Sequence, residues 1–377
     1  MIPEVRAKIE HIQLRSISEG YKKSKVGVIP DAWCCYQIHE CLSICNYERK
    51  PISEDVRKTI PGPYPYYGPT QAQGYIATYE SEGPAVLIGE DGDHFLKYKN
   101  QEMTMYVDGK YTVNNHAHVL RGTELCETKW FYYAYQHKSL FDAITRQGAG
   151  RYKLTKEALI KLSLQCPPIE EQKKIISILN TQDKVIKLKE KRLAEKQRQK
   201  KYLMQQLLTG KKRLPGFLKS WKTVELGEIF NYIQPTAYLV KTTDYDDSYK
   251  TPVLTAGKTF ILGYTNETEG VFTKVPVVIF DDFTTATKYV DFPFKVKSSA
   301  MKILTIKDGL SIVFAYEAMQ LIKFTVGGHE RHWISKYSCL TIDIPDIEEQ
   351  TAIAEVLSTA DREIDLLRQD IEQEKQK

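Results

Sequence analysis

The sequence predicts an α+β chain: two mixed α/β domains separated by two long helices that pair as an antiparallel coiled coil, with pseudo-twofold symmetry. Three observations predict it. The pentapeptide Pro168-Ile169-Glu170-Glu171-Gln172 returns as Asp346-Ile347-Glu348-Glu349-Gln350, each copy heads a stretch with heptad patterning, and the two stretches carry opposite charge. A repeat of roughly 180 residues is the period of a duplicated domain, far longer than that of a solenoid.

In the second stretch Ile353, Leu357, Ala360, Ile364, Leu367 and Ile371 step alternately by four and three, the seam of a coiled coil. The equivalent positions after the first copy are Ile175, Leu179, Gln182, Ile186, Lys189 and Leu193, so the register survives with two positions turned polar. Water penalises an exposed apolar seam by roughly 25 cal/mol per Å², so each helix needs a partner. Glu170 to Lys201 holds 11 Lys/Arg against 5 Asp/Glu, a net +6, whereas Asp346 to Lys377 holds 4 against 10, a net −6. Opposite charge selects pairing between the two helices over self-pairing, the domain inserted between them is long enough to be crossed, and pseudo-twofold symmetry favours the antiparallel sense.

The first helix is expected from Ile169 to about Thr209, stopped by Gly210, and the second to run to Lys377, ten residues earlier in register. Residues 4 to 19, helix-competent with Val5, Ile9, Ile12 and Ile17 apolar, are expected to fill that gap as a circularly permuted end of the second helix. The resulting partition is 1–25, an N-terminal helix packing near the coiled coil; 26–168, the first globular domain; 169–211, the first long helix; 212–345, the second domain; and 346–377, the second long helix.

Composition agrees with two domains. A chain of 377 residues exceeds what one core usually supports. Hydrophobic residues make up 42% and charged ones 27%, without a run of some 18 apolar residues to span a membrane. Arg6, Lys8, Glu10, His11 and Arg15 interrupt the first 21 residues, so they are no secretory signal, and a cytoplasmic location is expected. The cysteines, at 34, 35, 41, 45, 126, 166 and 339, form no C-x-x-C pair and read as reduced packing thiols, not a zinc site.

Each domain opens alike, with Ile29-Pro30-Asp31-Ala32-Trp33 in one and Leu214-Pro215-Gly216-Phe217 leading to Trp221 in the other. Strands follow, at Ala85–Ile88, Thr104–Val107, Ala117–Leu120, Val275–Phe280 and Met301–Ile306. The loops between them differ in content, as expected of two readers built on one plan that read different short texts. Tyrosine and Gly/Thr-rich loops with interleaved Lys and Arg suit phosphates and base edges.

Catalytic alternatives fail on spacing. Gly257-Lys258-Thr259 resembles the end of a P-loop, but Pro252 stands where its first glycine is needed. His116 and His118 have no third metal ligand in view, and Asp281-Asp282 lacks the acidic-x-Lys element of a metal-dependent nuclease. There is no Asn/Asp-Pro-Pro-aromatic motif for base methylation and no glycine-rich S-adenosylmethionine loop. No catalytic residue and no metal site is expected.

Several motifs together carry a family resemblance over nearly the whole chain. These are Pro168 to Gln172 with its Ile175 and Leu179 helix, the run Leu203-Met204-Gln205-Gln206-Leu207-Leu208-Thr209-Gly210-Lys211, Ile29 to Trp33, and Val113-Asn114-Asn115-His116-Ala117-His118-Val119. The sequence resembles the specificity (S) subunit of Type I restriction-modification systems. The resemblance implies two target recognition domains, each reading half of a bipartite double-stranded DNA site, with the two helices setting the unread spacer and docking two methyltransferase (M) subunits. Restriction (R) subunits join them, and S-adenosylmethionine, ATP and Mg sit on those partners, with no cofactor on this chain. The usual Gln-Leu-Leu-Thr-Gly-like C-terminal ending is absent here. A coiled-coil scaffold without DNA specificity is the alternative.

DNA contacts are expected from Tyr67, Thr70, Gln71, His94, Asn114, Asn115, His116, Arg151 and Lys153 in the first domain. In the second they are expected from Lys258, Thr259, Thr284, Thr285, Lys288, Lys297, Arg331 and His332. Subunit docking is expected at Gln172, Lys173 and Gln350.

Overall fold

The apolar runs that read as strands form strands in a computed structural model, which describes residues 17, 19–147, 151–255, 259–325 and 332–376. Its contacts divide the chain into two units that meet between Lys184 and Val185.

The first unit begins with a hairpin of β1 (Tyr21–Ser24) and β2 (Gly27–Pro30), then β3 (Cys34–Gln37), a turn of helix α1 (Ile38–Cys41), β4 (Leu42–Ile44) and α2 (Glu54–Thr59). There follow β5 (Pro61–Tyr67), β6 (Ala72–Ile76), β7 (Ser81–Glu82), β8 (Ala85–Gly89), β9 (Asp91–Gly92), β10 (Thr104–Val107), β11 (Lys110–Val113) and β12 (Ala117–Gly122). Helix α3 (Thr128–Tyr135), β13 (Thr145–Gln147), β14 (Arg151–Lys153), α4 (Lys156–Lys161) and β15 (Ser163–Cys166) lead into the long α5 (Ile169–Leu207), which runs on into the second unit. The second unit continues with β16 (Lys222–Glu225), α6 (Leu226–Ile229), β17 (Phe230–Ile233), β18 (Thr251–Leu254), β19 (Ile261–Thr265), β20 (Val277–Asp281) and β21 (Thr287–Val290). It ends with β22 (Lys295–Val296), β23 (Met301–Ile306), α7 (Ile312–Met319), β24 (Thr341–Ile344) and α8 (Ile347–Lys375).

The hairpin corrects part of the expected N-terminal helix over 1–25. Gly20 and Gly27 take φ of 85° and 109°, which a right-handed helix does not use, and Tyr21–Ser24 pair with Gly27–Pro30. Residues 1–16 and 18 lie outside the described residues.

The two units repeat one topology. Their main sheets run β4-β12-β8-β10 and β17-β23-β20-β21, and in each unit a second sheet contains one parallel pair, β5 with β11 and β18 with β22. All five residues of β8 are buried, as a strand covered on both faces requires. Val86 and Ile88 face a core with Leu120, Phe131 and Tyr135, while Ala85 and Leu87 face another with Val113 and Val119. In the second unit Val278 and Phe280 face Leu304 and Phe314, and Val277 and Ile279 face Ile303 and Phe294.

The head of each long helix is tied to its own unit by its repeated Glu-Gln. Trp33 Nε1–H donates to Glu171 Oε1 at 3.2 Å, and Trp221 Nε1–H donates to Glu349 Oε2 at 3.1 Å. Gln172 is fully buried: its Oε1 accepts from the Glu127 N–H at the start of α3, and its Nε2 donates to Leu125 O and Pro167 O. Gln350 repeats this, accepting from the Ser311 N–H at the start of α7 and donating to Pro345 O. Both glutamines are spent on internal bonds, which corrects the expectation that they dock a partner. Lys173 stays exposed, paired with Glu170 at 2.8 Å.

Within the second unit α5 and α8 lie side by side. Lys189 pairs with Glu374 at 2.7 Å and Asp370 at 2.8 Å, Lys196 with Glu363 at 2.6 Å and Lys200 with Asp361 at 2.6 Å. Partner numbers fall as lysine numbers rise, so the pair is antiparallel. Lys189, a polar break in the seam, is the residue that both carboxylates meet. Ile353, Leu357, Ile364 and Ile371 are buried. Partly exposed ion pairs contribute little to stability, so the apolar seam holds the helices together and the charges choose partner and direction.

Lys200 also meets Glu317 of α7 at 3.0 Å. Burial pushes the Glu317 carboxyl above its ordinary range against the pull of Lys200, and Asp361 adds to the rise. The folded state therefore binds this proton more tightly than the unfolded chain does, and that contribution is lost as pH rises from the ordinary glutamate value through the raised one. Glu317→Gln is expected to flatten the fall in stability over that interval, read from denaturation midpoints at a series of pH values. Gln172→Ala, which strips partners from three backbone groups, is expected to cost about 1–3 kcal/mol for each group left unsatisfied in the interior, measured by urea unfolding.

Candidate nucleic-acid interface

One acidic residue follows the central strand of each main sheet, Glu90 after β8 and Asp282 after β20. Their backbones make the same two bonds. Glu90 N–H donates to His116 O at 2.8 Å and Glu90 O accepts from Leu154 N–H at 2.8 Å; Asp282 N–H donates to Ala300 O at 3.0 Å and Asp282 O accepts from His332 N–H at 2.9 Å. Each residue thus gathers three segments at one end of its sheet: the loop it opens, the turn before β12 or β23, and the segment beginning at Leu154 or His332.

The side chains of both acids take cations. Glu90 meets Arg49 at 2.7 Å and Lys153 at 3.3 Å, with His118 at 4.0 Å. Burial would raise the Glu90 carboxyl, but the bonds from Arg49 and Lys153 outweigh it and hold it below its usual range. Asp282 faces Lys302 at 3.3 Å, each only 1% exposed, and its Oδ1 accepts from Trp333 N–H at 2.9 Å.

In the first unit this end gathers several of the expected contacts. Tyr67 O accepts from Asn114 N–H, and Gly68 N–H donates to Gln71 O, which sets the Tyr67–Gln71 turn beside the 114–116 turn. Thr70, Gln71, Asn115 and Arg151 are exposed, and Tyr67 is half-buried. His116 Nδ1 lies 3.0 Å from Asp91 Oδ2 with the ring part exposed. Gly89 is fixed by crowding: a Cβ there would stand 2.6 Å from the His94 ring and 3.2 Å from Pro69 O. In the second unit Thr259, Thr284, Lys288 and Lys297 are exposed, Thr285 is half-buried with φ 56°, and Lys288 Nζ sits 6.0 Å from the Phe260 ring. Asp281 Oδ1 accepts from Phe283 and Thr284 N–H and so shapes the loop. Lys258 and Arg331 lie outside the described residues.

Three expected contacts, His94, Asn114 and His332, are corrected by burial, and a fourth, the part-exposed Lys153, is paired internally. His94 packs on Phe95 with ring centroids 4.1 Å apart, and burial lowers its pKa. Asn114 is 4% exposed; its Oδ1 accepts from His116 N–H and its Nδ2 donates to Gln73 Oε1, so it builds the turn that presents Asn115 and His116. Lys153 spends its charge on Glu90. His332 is fully buried, its ring 5.5 Å from that of Phe324. His118 is internal too: Nε2–H donates to Leu154 O at 2.8 Å, Nδ1 accepts from Asn46 Nδ2 at 2.9 Å, and desolvation keeps the ring neutral. Sequence reasoning missed Glu90, Arg49 and Lys302, and weighed Asp282 only with Asp281 as a metal-binding pair, because an acid is not sought where phosphate is expected. The available signal was the shared place of the two acids just past a run of four buried apolar residues, Ala85–Ile88 and Val277–Phe280.

Among the described residues, the group that converges with metal-ligand spacing is Cys41, Cys126 and Cys166, whose sulfurs lie within 4.8 Å of one another. They are buried in the core of Phe131, Tyr135 and Ile176. Cys41 Sγ–H points to Gln37 O at 3.6 Å and Cys126 Sγ–H to Glu127 O at 3.5 Å. The neighbouring thiols of Cys166 and Cys41, with burial, push the Cys126 thiol up. The two S–H bonds suit protonated thiols at Cys41 and Cys126, since three metal-free thiolates in that core would bury uncompensated charge.

Comparison with known proteins fits this duplicated plan. The family model described as Type I restriction modification DNA specificity domain matches residues 30–197 and again 219–375. The specificity subunit of the Type I restriction enzyme EcoR124I/EcoR124II of Escherichia coli is 55% identical over 140 residues, 36% of this chain and 34% of that protein. A putative specificity subunit from Haemophilus influenzae is 33% identical over 143 residues, 38% of this chain and 35% of its own length. The chain thus spans about a third of the length of these two relatives. The putative MjaX specificity subunit of Methanocaldococcus jannaschii is 24% identical over 94% of this chain and 93% of its own. In fold, the chain is similar to the crystal structure of a Type I restriction-modification S subunit from M. genitalium, with a TM-score of 0.69 at 13% identity, covering 91% of this chain and 93% of that one. With both of its domains matched by that model, the chain belongs to the Type I restriction modification DNA specificity domain family.

Proposed function

We propose that this chain is the DNA-recognition subunit of a Type I restriction-modification complex, reading a bipartite duplex site with one half assigned to each domain. The observation that supports this most directly is the pair of loop clusters around Glu90 and Asp282, alike in backbone and unlike in exposed side chains. Identical frames with different contents suit an asymmetric target, since base-edge contacts specify and phosphate contacts only position. Thr70, Gln71, Asn115, His116 and Arg151 are the proposed readers in the first domain, and Thr259, Thr284, Lys288 and Lys297 in the second. Methyl transfer, with its S-adenosylmethionine, and DNA translocation and cleavage, with ATP and Mg, belong in this reading to M and R subunits docked on the exposed faces of α5 and α8. Among the described residues no helix is long and apolar enough to cross a membrane.

The same reading assigns 26–168 and 212–345 to target recognition and 169–211 and 346–377 to the spacing helices. The 39 residues of α5 span about 58 Å at 1.5 Å each, so helix length sets the unread spacer. Mapping methylated positions in host DNA by long-read sequencing is expected to return a two-part motif. Exchange of residues 26–168 for those of a relative is expected to change one part alone, and an unaltered motif after exchange would refute the assignment.

A further inference from the structure

Glu90 and Asp282 present a problem that the proposed function leaves open. A carboxylate at a surface that meets a polyanion repels it, and a buried ion pair is weak support for a fold. The cost is plain in the second domain. Asp282 and Lys302 are each 1% exposed at the side chain, yet Asp282 Oδ2 and Lys302 Nζ have no hydrogen-bond partner of good geometry, and neither do the two ring nitrogens of His332 beside them. An apolar replacement of similar volume would suit such an interior at least as well. Two domains with divergent loops nevertheless keep an acid at this place, with the same backbone bonds to the turn before β12 or β23 and to the segment at Leu154 or His332.

We infer that Glu90 and Asp282 are positioning residues for DNA reading, each fixing three loops of its own domain against one another so that its readers meet one half of the target in register. The inference rests on the proposed function and goes beyond it. The bond pattern supplies the means. Glu90 draws Arg49 and Lys153 inward, and Arg49 Nη1 also donates to Asn115 O at 3.2 Å and Ala117 O at 3.4 Å, so one carboxylate orients the guanidinium that holds the turn of Asn115 and His116. Asp282 holds the Trp333 N–H through its carboxylate and the His332 N–H through its carbonyl, while Lys302 neutralises it from β23.

The test separates positioning from bulk electrostatics. If the acids only repelled phosphate, Glu90→Gln and Asp282→Asn would tighten binding to all sequences without altering selectivity. Positioning predicts the reverse: affinity for random duplex holds or rises, while discrimination at one half-site falls on the order of tenfold, the size of a lost base preference. The probe is a pool of random duplexes, selected on the full chain assembled with M subunits and then sequenced. The wild type should return a two-part motif, Glu90→Gln should blur one part and spare the other, and Asp282→Asn should do the opposite. Glu90→Asp, which keeps the charge, should retain part of the lost preference. Lys302→Met is the control against a direct contact, because Lys302 is fully buried and cannot reach DNA, and it should reproduce Asp282→Asn. Melting curves identify a variant that fails to fold; Arg49→Gln and Lys302→Met then carry the test for their respective domains. Blurring of both parts by a single folded variant, or of neither by any, overturns the inference. A wild-type pool without a two-part motif overturns the proposed function itself.

Discussion

Two buried hydrogen-bond sets at the heads of the long helices hold the architecture to its plan. A helix N-terminus leaves backbone groups without partners, and the chain around it must satisfy its own. Gln172 and Gln350 do this for the segments that start α3 and α7, while Glu171 and Glu349 fasten the tryptophan at the opening of each domain. A domain and its helix therefore cannot adjust independently: the sheet packs on α3 or α7, which is bonded to the glutamine, which belongs to the helix. Arg213 adds a two-pronged bond to Glu349 at 2.6 Å in the second unit.

Much of this plan was legible before any coordinates. Apolar steps of four and three named the buried positions Ile353, Leu357, Ile364 and Ile371, and the signs of charge named the partner, because both depend on local periodicity alone. The strand runs at Thr104–Val107 and Met301–Ile306 were readable for the same reason. The site was less so. His94, Asn114, Lys153 and His332 look like surface readers in sequence, yet Asn114 and Lys153 bond to Gln73 and Glu90, distant in the chain, and His94 and His332 are buried against the Phe95 and Phe324 rings, which no spacing rule encodes. The repetition of Glu-Glu-Gln invited a docking role, whereas its second glutamate and its glutamine are consumed at home. The clustering of Cys41, Cys126 and Cys166 was invisible because it joins residues up to 125 positions apart.

Affinity and selectivity separate in this design. Lysines and arginines near DNA bind any sequence, so a protein that searches for a short text gains little from more of them. Glu90 and Asp282 remove cations from the exposed inventory and spend them on loop geometry. In the proposed reading, rigid placement of a few polar side chains decides which bases are accepted, and the divergent loop contents allow each domain its own choice.

The antiparallel pairing of α5 with α8 has a consequence for the order of events during synthesis. Lys189, Lys196 and Lys200 find their carboxylates 161 to 185 residues further along the chain. A ribosome therefore releases a strongly cationic rod well before the segment that neutralises it. In that interval the rod's charge stands uncompensated, and its pairing has to wait until the whole intervening domain has been made.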